Sequence, residues 1–334
     1  MRTALALSAL TGKPLELKNI RASRPNPGLQ AQHLTSLLLL KKICNAKLKG
    51  AFIGSKSVSF EPKAISGGTY TVNIGTAGSI TLLFQSILLP ALFCRERVSV
   101  KAFGGTDVPF SPPANHFSKA FLSLAEKMGA KTEFKVSRRG YYSKGNGLAY
   151  LSTSPCKQLR GISLKKIFLA DHVSVFSHSA GLPREVSLNQ SKSAKRILAE
   201  SEKGFEIIEE TESNEVAKES IGSGIEIIGF SDSGIIGVNA LGEREKDATI
   251  VGQEASHKFI LELANESAID SHLADQLIPL MALSRGKSEI LCSPLSGHAK
   301  NNILVCEKML GVKFEQKAAG KCILLSVKGI WFNQ

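Results

Sequence analysis

Three stretches of this 334-residue chain close a helix in the same way, and that recurrence limits the folds open to it. They are Leu37-Leu-Leu-Leu-Lys-Lys-Ile-Cys-Asn-Ala-Lys-Leu, Phe121-Leu-Ser-Leu-Ala-Glu-Lys-Met-Gly-Ala-Lys-Thr and Ile303-Leu-Val-Cys-Glu-Lys-Met-Leu-Gly-Val-Lys-Phe. In each, Asn or Gly near the end suits a helix C-cap, and a basic strand follows. A strand is expected before each helix, at Leu15–Ile20, Val98–Phe103 and Glu289–Cys292. The junctions between strand and helix are Pro25-Asn-Pro-Gly28, Ser111-Pro-Pro113 and Ser296-Gly-His298. Two-residue periodicity predicts hairpins pairing Ser57–Pro62 with Tyr70–Ile74, and Phe134–Ser137 with Leu148–Ser152. Further helices are expected at Ser79–Phe93 and Ala268–Leu283. The pattern predicts an α/β protein of three repeated sheet-plus-two-helix units, occupying residues 1–164 and 259–334.

Residues 165–258 do not follow the repeat. They carry candidate strands at Ile167–Val175, Gly224–Phe230 and Ile235–Ala240, a helix at Ser191–Ser201, and an acidic run from Ser201 to Glu219 that includes Glu202. This segment reads as a smaller α/β domain inserted into a loop between the second and third units. A solvated face is the plain account of its acidic run.

Lys and Arg exceed Asp and Glu by 13, a surplus that favours a polyanionic partner, RNA or DNA before membrane. The six cysteines stand far apart with no Cys-x-x-Cys pair, so neither a zinc site nor a disulfide framework is implied and a reducing intracellular compartment fits best. The apolar run Ala4–Leu10 is short, contains Ser8 and leads into Thr11-Gly-Lys-Pro14, so a secretion signal is not expected. Ile80–Cys94 is broken by Gln85, Ser86 and Pro90 and reads as a buried helix, not a membrane span. A cytoplasmic protein is expected, or a nuclear one if the source is eukaryotic.

Ser296-Gly297-His298 carries the sharpest chemical signal. A helix N-terminus presents unpaired N–H groups and a partial positive charge to phosphate. An imidazole there can attack phosphorus, although a plain helix-capping or surface histidine fits the same residues. Arg21-Ala-Ser-Arg24 with Gln32-His33 sets two guanidiniums by a helix start, where forks suit phosphate oxygens and surface ion pairs are the ordinary alternative. Gly75-Thr-Ala-Gly-Ser79, with Gln85 further on, either approaches a phosphate or permits close helix packing. Gly104-Gly-Thr-Asp107 with Pro112-Pro113 is a rigid loop, and His272-Leu-Ala-Asp-Gln276 a helix start able to pair with a nucleoside or simply to cap.

Taken together, Thr11-Gly-Lys-Pro14, Ile20-Arg-Ala-Ser-Arg-Pro25, Pro27-Gly28, Gln32-His33, Gly75-Thr-Ala-Gly-Ser79, Gly104-Gly-Thr-Asp107, Pro112-Pro113, Arg139-Gly-Tyr141, Leu273-Ala-Asp-Gln-Leu277 and His298 resemble the RNA 3′-terminal phosphate cyclase family. The resemblance runs from Arg2 to about Phe314 and is looser in residues 165–258. It implies three sheet-and-helix repeats with an inserted domain. It implies ATP as co-substrate, an RNA with a 3′-phosphate as partner, and a ligase-class nucleotidyl transfer through His298. By position, Gln85, Pro112, His116 and His272 to Gln276 (Leu273, Ala274 and Asp275 between) resemble the adenylate pocket. Arg2, Arg21, Arg24, Gln32 and His33 resemble the residues around the phosphates. The family has an aromatic at the place of His116 and often at that of His272. Its opening strand and Glu-Gly-Gly-Gly-Gln motif would lie before Met1, so the acidic residue that helps hold Mg2+ or Mn2+ has no counterpart here, and the metal ligands of this chain stay unassigned. A non-catalytic RNA-binding relative acting in ribosome biogenesis is the alternative, although such relatives lack the histidine. An enolpyruvyl transferase shares the repeated architecture but has no histidine nucleophile.

Overall fold

The computed structural model describes residues 1–201 and 204–332; Glu202, in the acidic run, lies outside the described residues. Helices and strands are mixed throughout, an α/β fold. The chain opens with α1 (Arg2–Thr11), whose Ala4–Leu10 stretch is buried and which ends at Gly12 in the left-handed region, φ 71°. That burial accounts for the apolar run at the start of the sequence. Next come β1 (Leu15–Leu17), α2 (Ala31–Ile43), β2 (Lys47–Lys49) and β3 (Val58–Glu61), with the three strands in antiparallel order β1-β3-β2.

A second group follows: β4 (Gly68–Asn73), α3 (Ile80–Leu92), β5 (Val98–Gly104), α4 (Ser123–Lys127), β6 (Thr132–Arg138) and β7 (Gly147–Thr153). α4 is entered through π-helical turns over His116–Leu122. Its sheet is β4-β5-β7-β6, with β4 parallel to β5 and the other pairs antiparallel. A third group holds β8 (Ser163–Leu164), and, after the intervening segment, α7 (Ser271–Leu283), β13 (Lys287–Cys292), α8 (Gly297–Leu310), β14 (Phe314–Ala319) and β15 (Cys322–Lys328). Its order is β8-β13-β15-β14, with β8 parallel to β13, the same scheme as the second sheet. β1-β3-β2 matches the last three places of that scheme.

The three recurring helix ends share one physical device. Asn45, Gly129 and Gly311 all take positive φ (44°, 102° and 73°), the left-handed turn that stops a helix and sends the chain back as a strand. α1, α3 and α7 pack with α2 and α8 around one large core containing Leu7, Leu40, Phe84, Leu277 and Cys306. All six cysteines are buried thiols, and no described helix is long and apolar enough to cross a membrane.

Between β8 and α7 lie β9 (His172–Ala180), α5 (Arg184–Glu200), β10 (Glu206–Asn214), β11 (Gly222–Ser231), β12 (Gly234–Leu241) and α6 (Ala248–Leu263). The sheet β10-β9-β11-β12 packs on α5 and α6 over its own core, including Val175, Ile227, Val251 and Phe259. α6 runs straight through positions 258 and 259. The acidic run becomes the edge strand β10, exposed along most of its length.

Several local expectations need correction. Ser57–Pro62 and Tyr70–Ile74 do not form a hairpin: β3 pairs with β1 and β2, while β4 joins β5 in another sheet. Pro62 has no N–H to continue a ladder, and Lys63 and Ser66 instead donate to the carbonyls of Cys44 and Ile43 at the end of α2. The strand expected at Leu15–Ile20 stops at Leu17, because Asn19 and Arg21 take positive φ. β9 starts at His172, five residues after Ile167, and α5 starts at Arg184, seven before Ser191. The pairing of Phe134 with Leu151 follows the sequence pattern.

The sheet carrying β9 is tied to the one carrying β5 by a buried charge network. Arg139 donates to both Asp107 oxygens at 3.2 and 3.1 Å and to Glu212 at 3.0 Å. His178 lies 3.1 Å from Glu226 and 2.8 Å from the Tyr141 hydroxyl. Burial pushes the Asp107 carboxyl upward, but Arg139 and His178 outweigh it and hold the group below its usual range. Arg139→Met would leave Asp107 buried without its principal cation. Urea unfolding should show a loss of about 3–5 kcal/mol; a loss below about 1 kcal/mol would mean that the network does not bind the sheets together.

Candidate active site

α8 starts at the Ser296 cap, whose Oγ accepts from the Ala299 N–H at 3.0 Å. Ser296 thus performs the capping that might have fallen to the histidine. His298, the second residue of the helix, is exposed in the first turn, where neighbouring N–H groups lack helical partners. Four residues on, and so on the same face, Asn302 is half-buried. Its Nδ2 donates to the Asp275 carbonyl at 2.9 Å, and its Oδ1 accepts from Thr3 Oγ1 at 2.7 Å. One amide therefore joins α8 to α7 and α1.

Around that joint lies a small cavity of about 50 Å³, lined by Arg2 and Thr3 of α1, Gln85 of α3, Asp275 and Gln276 of α7, and Asn302. Gln85 Nε2 donates to Gln276 Oε1 at 2.9 Å across it, joining α3 to α7. These polar groups stand against an apolar floor of Leu88, Leu89, Pro279 and Leu280. Burial raises the Asp275 carboxyl, opposed by Arg2, His272 and His298, all within electrostatic reach. Burial likewise lowers the Arg2 guanidinium, and Asp275 counters it. A wider groove of about 610 Å³ lies elsewhere, lined by Lys287, Lys313 and Lys328 with Glu315, and it holds none of these residues.

Of the residues matched to the phosphates, Arg2 lines the cavity, and His33 of α2 stands within electrostatic reach of it. Arg21 takes φ 53° and turns its guanidinium back onto the carbonyls of Asn26 and Gly28, which fixes the loop. Arg24 is exposed. Gln32 Oε1 accepts from the Ser79 N–H at 2.9 Å, so α2 is anchored to the loop that starts α3. His33 Nδ1 accepts from the Gln30 N–H at 3.2 Å, a capping role that requires an unprotonated Nδ1. Burial, with Arg21 and Arg2 adding to it, brings the His33 pKa down to about 4.

Other matched residues are placed differently. His116 is 4% exposed, its Nε2 is 3.3 Å from Asp270 Oδ2, and its ring lies where a Cβ on Gly237 would fall. It is part of the packing between β12 and α7 and does not line the cavity. Pro112 accepts from Thr81 Oγ1 at 2.7 Å through its carbonyl, which fixes the loop to α3. Leu273 and Ala274 are buried in the core, while His272 is exposed beside Asp275. Within 75–79, Gly78 serves close packing, since a Cβ there would reach within 2.7 Å of Ile74, whereas Gly75 has open space and takes φ 73°; from outside, a Cβ on Gly145 would reach within 2.7 Å of the Thr76 carbonyl.

Sequence reasoning missed Thr3, Asn302 and Asp270. Asn302 was signalled only by its four-residue spacing from His298. Asp270 caps α7, accepting from the His272 and Leu273 N–H groups at 3.0 and 2.9 Å, and from the Gly237 N–H through its other oxygen. Its place directly before Ser-His-Leu was the available clue.

No group of three metal-ligand side chains forms at this cavity among the described residues. The one such group, Asp107, His178 and Glu226, has donor atoms within 4.8 Å of one another but lies in the buried network, where Arg139 already balances Asp107. The cavity itself offers a guanidinium, a carboxylate and three primary amides, with the exposed His298 imidazole at a helix start within electrostatic reach of its carboxylate.

His33 makes a pH prediction. Its folded pKa of about 4 lies below the unfolded value near 6.5, so the unfolded chain binds the extra proton first as pH falls. The stability that comes from a neutral His33 is complete above about pH 6.5 and is lost progressively down to about pH 4, by about 3 kcal/mol. His33→Gln should flatten the urea-unfolding profile over that window; an unchanged slope would contradict it.

Comparison with known proteins bears on what the constellation does. The RNA 3′-terminal phosphate cyclase family profile matches residues 1–316. The RNA 3′-terminal phosphate cyclase of Archaeoglobus fulgidus is 43% identical over 318 residues, 94% of this chain and 93% of that protein. Proteins of the same name from Pyrococcus abyssi and Methanosarcina barkeri are each 42% identical over 94% of this chain, covering 90% and 91% of their own lengths. The solved EPSP synthase of Acinetobacter baumannii aligns with 98% of this chain and 62% of its own at 13% identity, with a TM-score of 0.28, too loose a superposition to inform the fold. With a family match over nearly the whole length and relatives above 40% identity, this chain belongs to the RNA 3′-terminal phosphate cyclase family.

Proposed function

We propose that this chain is an ATP-dependent ligase that turns an RNA 3′-terminal phosphate into a 2′,3′-cyclic phosphodiester. The observation that carries the reading is His298, exposed in the first turn of α8 beside Asp275 and the Arg2 cavity, in a chain of this family. In the first step an imidazole nitrogen of His298 bonds to the α-phosphorus of ATP and pyrophosphate leaves. Unpaired N–H groups of the α8 start and the Arg2 charge are suited to the developing negative oxygens. An RNA 3′-phosphate oxygen then attacks the same phosphorus, breaking the N–P bond and moving AMP to the RNA end. Last, the neighbouring 2′-hydroxyl attacks the 3′-phosphorus, loses its proton and expels AMP. That step is intramolecular, which removes much of the entropic barrier.

Gln85 and Gln276 spend their amides on each other, and both can turn those donors and acceptors to an adenine edge. Arg21, Arg24 and His33 stand toward the RNA phosphate in this reading, with His33 neutral and so available as a hydrogen-bonding partner. The cavity offers only Asp275 as a carboxylate, which does not make a protein-built cation site; Mg2+ or Mn2+ would enter with the triphosphate, keeping its waters. We also read the shared scheme of the second and third sheets as repeated units forming a core over residues 1–164 and 259–334, with residues 165–258 inserted and the protein at work in the cytoplasm. Nothing observed favours a non-catalytic role.

Incubation with labelled ATP and magnesium or manganese should give an acid-labile AMP adduct on the wild type and none on His298→Asn. A folded wild-type protein that never takes label would overturn the proposal. Asn302→Leu should keep the fold but slow labelling by about 10–100-fold through the lost joint, as outer-shell positioning losses do; unchanged labelling would show that Asn302 does not position the site.

A further inference from the structure

Phe110 is fully exposed, and its backbone lies at φ 63°, a conformation that bulky residues rarely take. The loop around it is fixed on both sides. Ser111 Oγ donates to the Val108 carbonyl at 2.9 Å, the Ala114 N–H donates to Asp107 Oδ1 at 3.1 Å, and Thr81 holds the Pro112 carbonyl. The chain therefore keeps a large apolar ring in water, on a rigid support, at a local backbone cost. Tyr142, 73% exposed, stands on the neighbouring loop. That loop is also pinned: Thr106 donates to the Gly140 carbonyl at 2.8 Å, Asp107 and Tyr141 form a bridge, and Gly145 donates to Tyr141 at 2.7 Å.

Single exposed aromatics are ordinary. Two of them on adjacent rigid loops, both tied to the start of α3, call for a reason. Gly105 and Gly145 both pack directly on Thr76-Ala77, in the loop whose Ser79 holds Gln32. From the other side, Pro112 is tied to α3, which carries Gln85 one turn beyond Thr81. The two rings thus belong to the same knot of loops that positions the phosphate-matched and adenylate-matched side chains. Nearby charge is mainly positive: Lys144 is exposed and Arg138 is held by the Asn146 carbonyl at 2.7 Å, with Glu219 the opposing carboxylate.

We infer that Phe110 and Tyr142 form a stacking subsite for the RNA bases that precede the 3′-phosphate. The inference rests on the cyclase reading, and single-stranded RNA is its one occupant. Every base presents a π face, so aromatic stacking beside cations grips a strand with little regard to sequence, which suits an enzyme acting on RNA ends. Neither ring takes part in adenylylation.

The test is a fluorescence-anisotropy titration with a fluorescein-labelled, 3′-phosphorylated hexanucleotide in the absence of ATP. Phe110→Ala and Tyr142→Ala should each weaken binding about tenfold, and Phe110→Trp and Tyr142→Phe should restore it. Competition by adenosine 3′-phosphate, which has no preceding bases, should be the same in all variants. Hexanucleotide affinity within about twofold of wild type in both alanine variants would overturn the subsite. Labelling by ATP alone is a separate readout: its absence in the wild type strikes the cyclase reading, and its retention in the alanine variants shows that any loss of RNA binding is not unfolding.

Discussion

Asn302 holds three helices with one amide, and the candidate site depends on that joint. Its donor takes the Asp275 carbonyl of α7, and its acceptor takes Thr3 of α1. Because Asn302 lies one turn beyond His298, the same contact fixes how far that imidazole stands from Asp275 and Arg2. The Gln85–Gln276 pair makes the matching connection between α3 and α7. Helix packing by apolar ridges alone tolerates small slides; a half-buried amide bonded to two other helices resists them, since a shift breaks both bonds.

The charges around the joint are arranged by opposition. Burial raises Asp275 while Arg2, His272 and His298 restrain it, and burial lowers Arg2 while Asp275 restrains that. At His33 nearby cations reinforce burial instead of opposing it, so the ring stays neutral, which its capping bond to Gln30 requires. The result is a positive surface on which not every basic group is charged. The buried network of Asp107, Arg139, His178 and Glu226 is separate: it fastens one sheet to another, and Arg139 already pairs Asp107.

Much of this architecture was legible in the sequence because its causes are local. Asn45, Gly129 and Gly311 announce three helix ends, since the left-handed turn they make is cheap for few residues. Ser296 before Gly-His announces a helix start, which sets His298 in the first turn. Pairings between distant segments were harder. The alternation of Tyr70–Ile74 says that it is a strand, but says nothing of whether β3 or β5 is its partner. His116 was equally opaque: the residue type suits stacking on a base, and only the tertiary approach of Asp270 and Gly237 makes it a packed, hydrogen-bonded side chain. Asn302 and Thr3 escaped for the same reason, being ordinary polar residues until α1, α7 and α8 meet, as Asp270 is until Gly237 and His116 approach it.

The most direct measurement is a crystal structure with α,β-methylene ATP, whose methylene bridge blocks transfer to the histidine. The account predicts the adenine against Gln85, Asp275 and Gln276, the α-phosphorus in line with the His298 imidazole, and Arg2 on the phosphates. A nucleotide seated instead in the groove of Lys287, Lys313 and Lys328, with His298 left facing solvent, would contradict it.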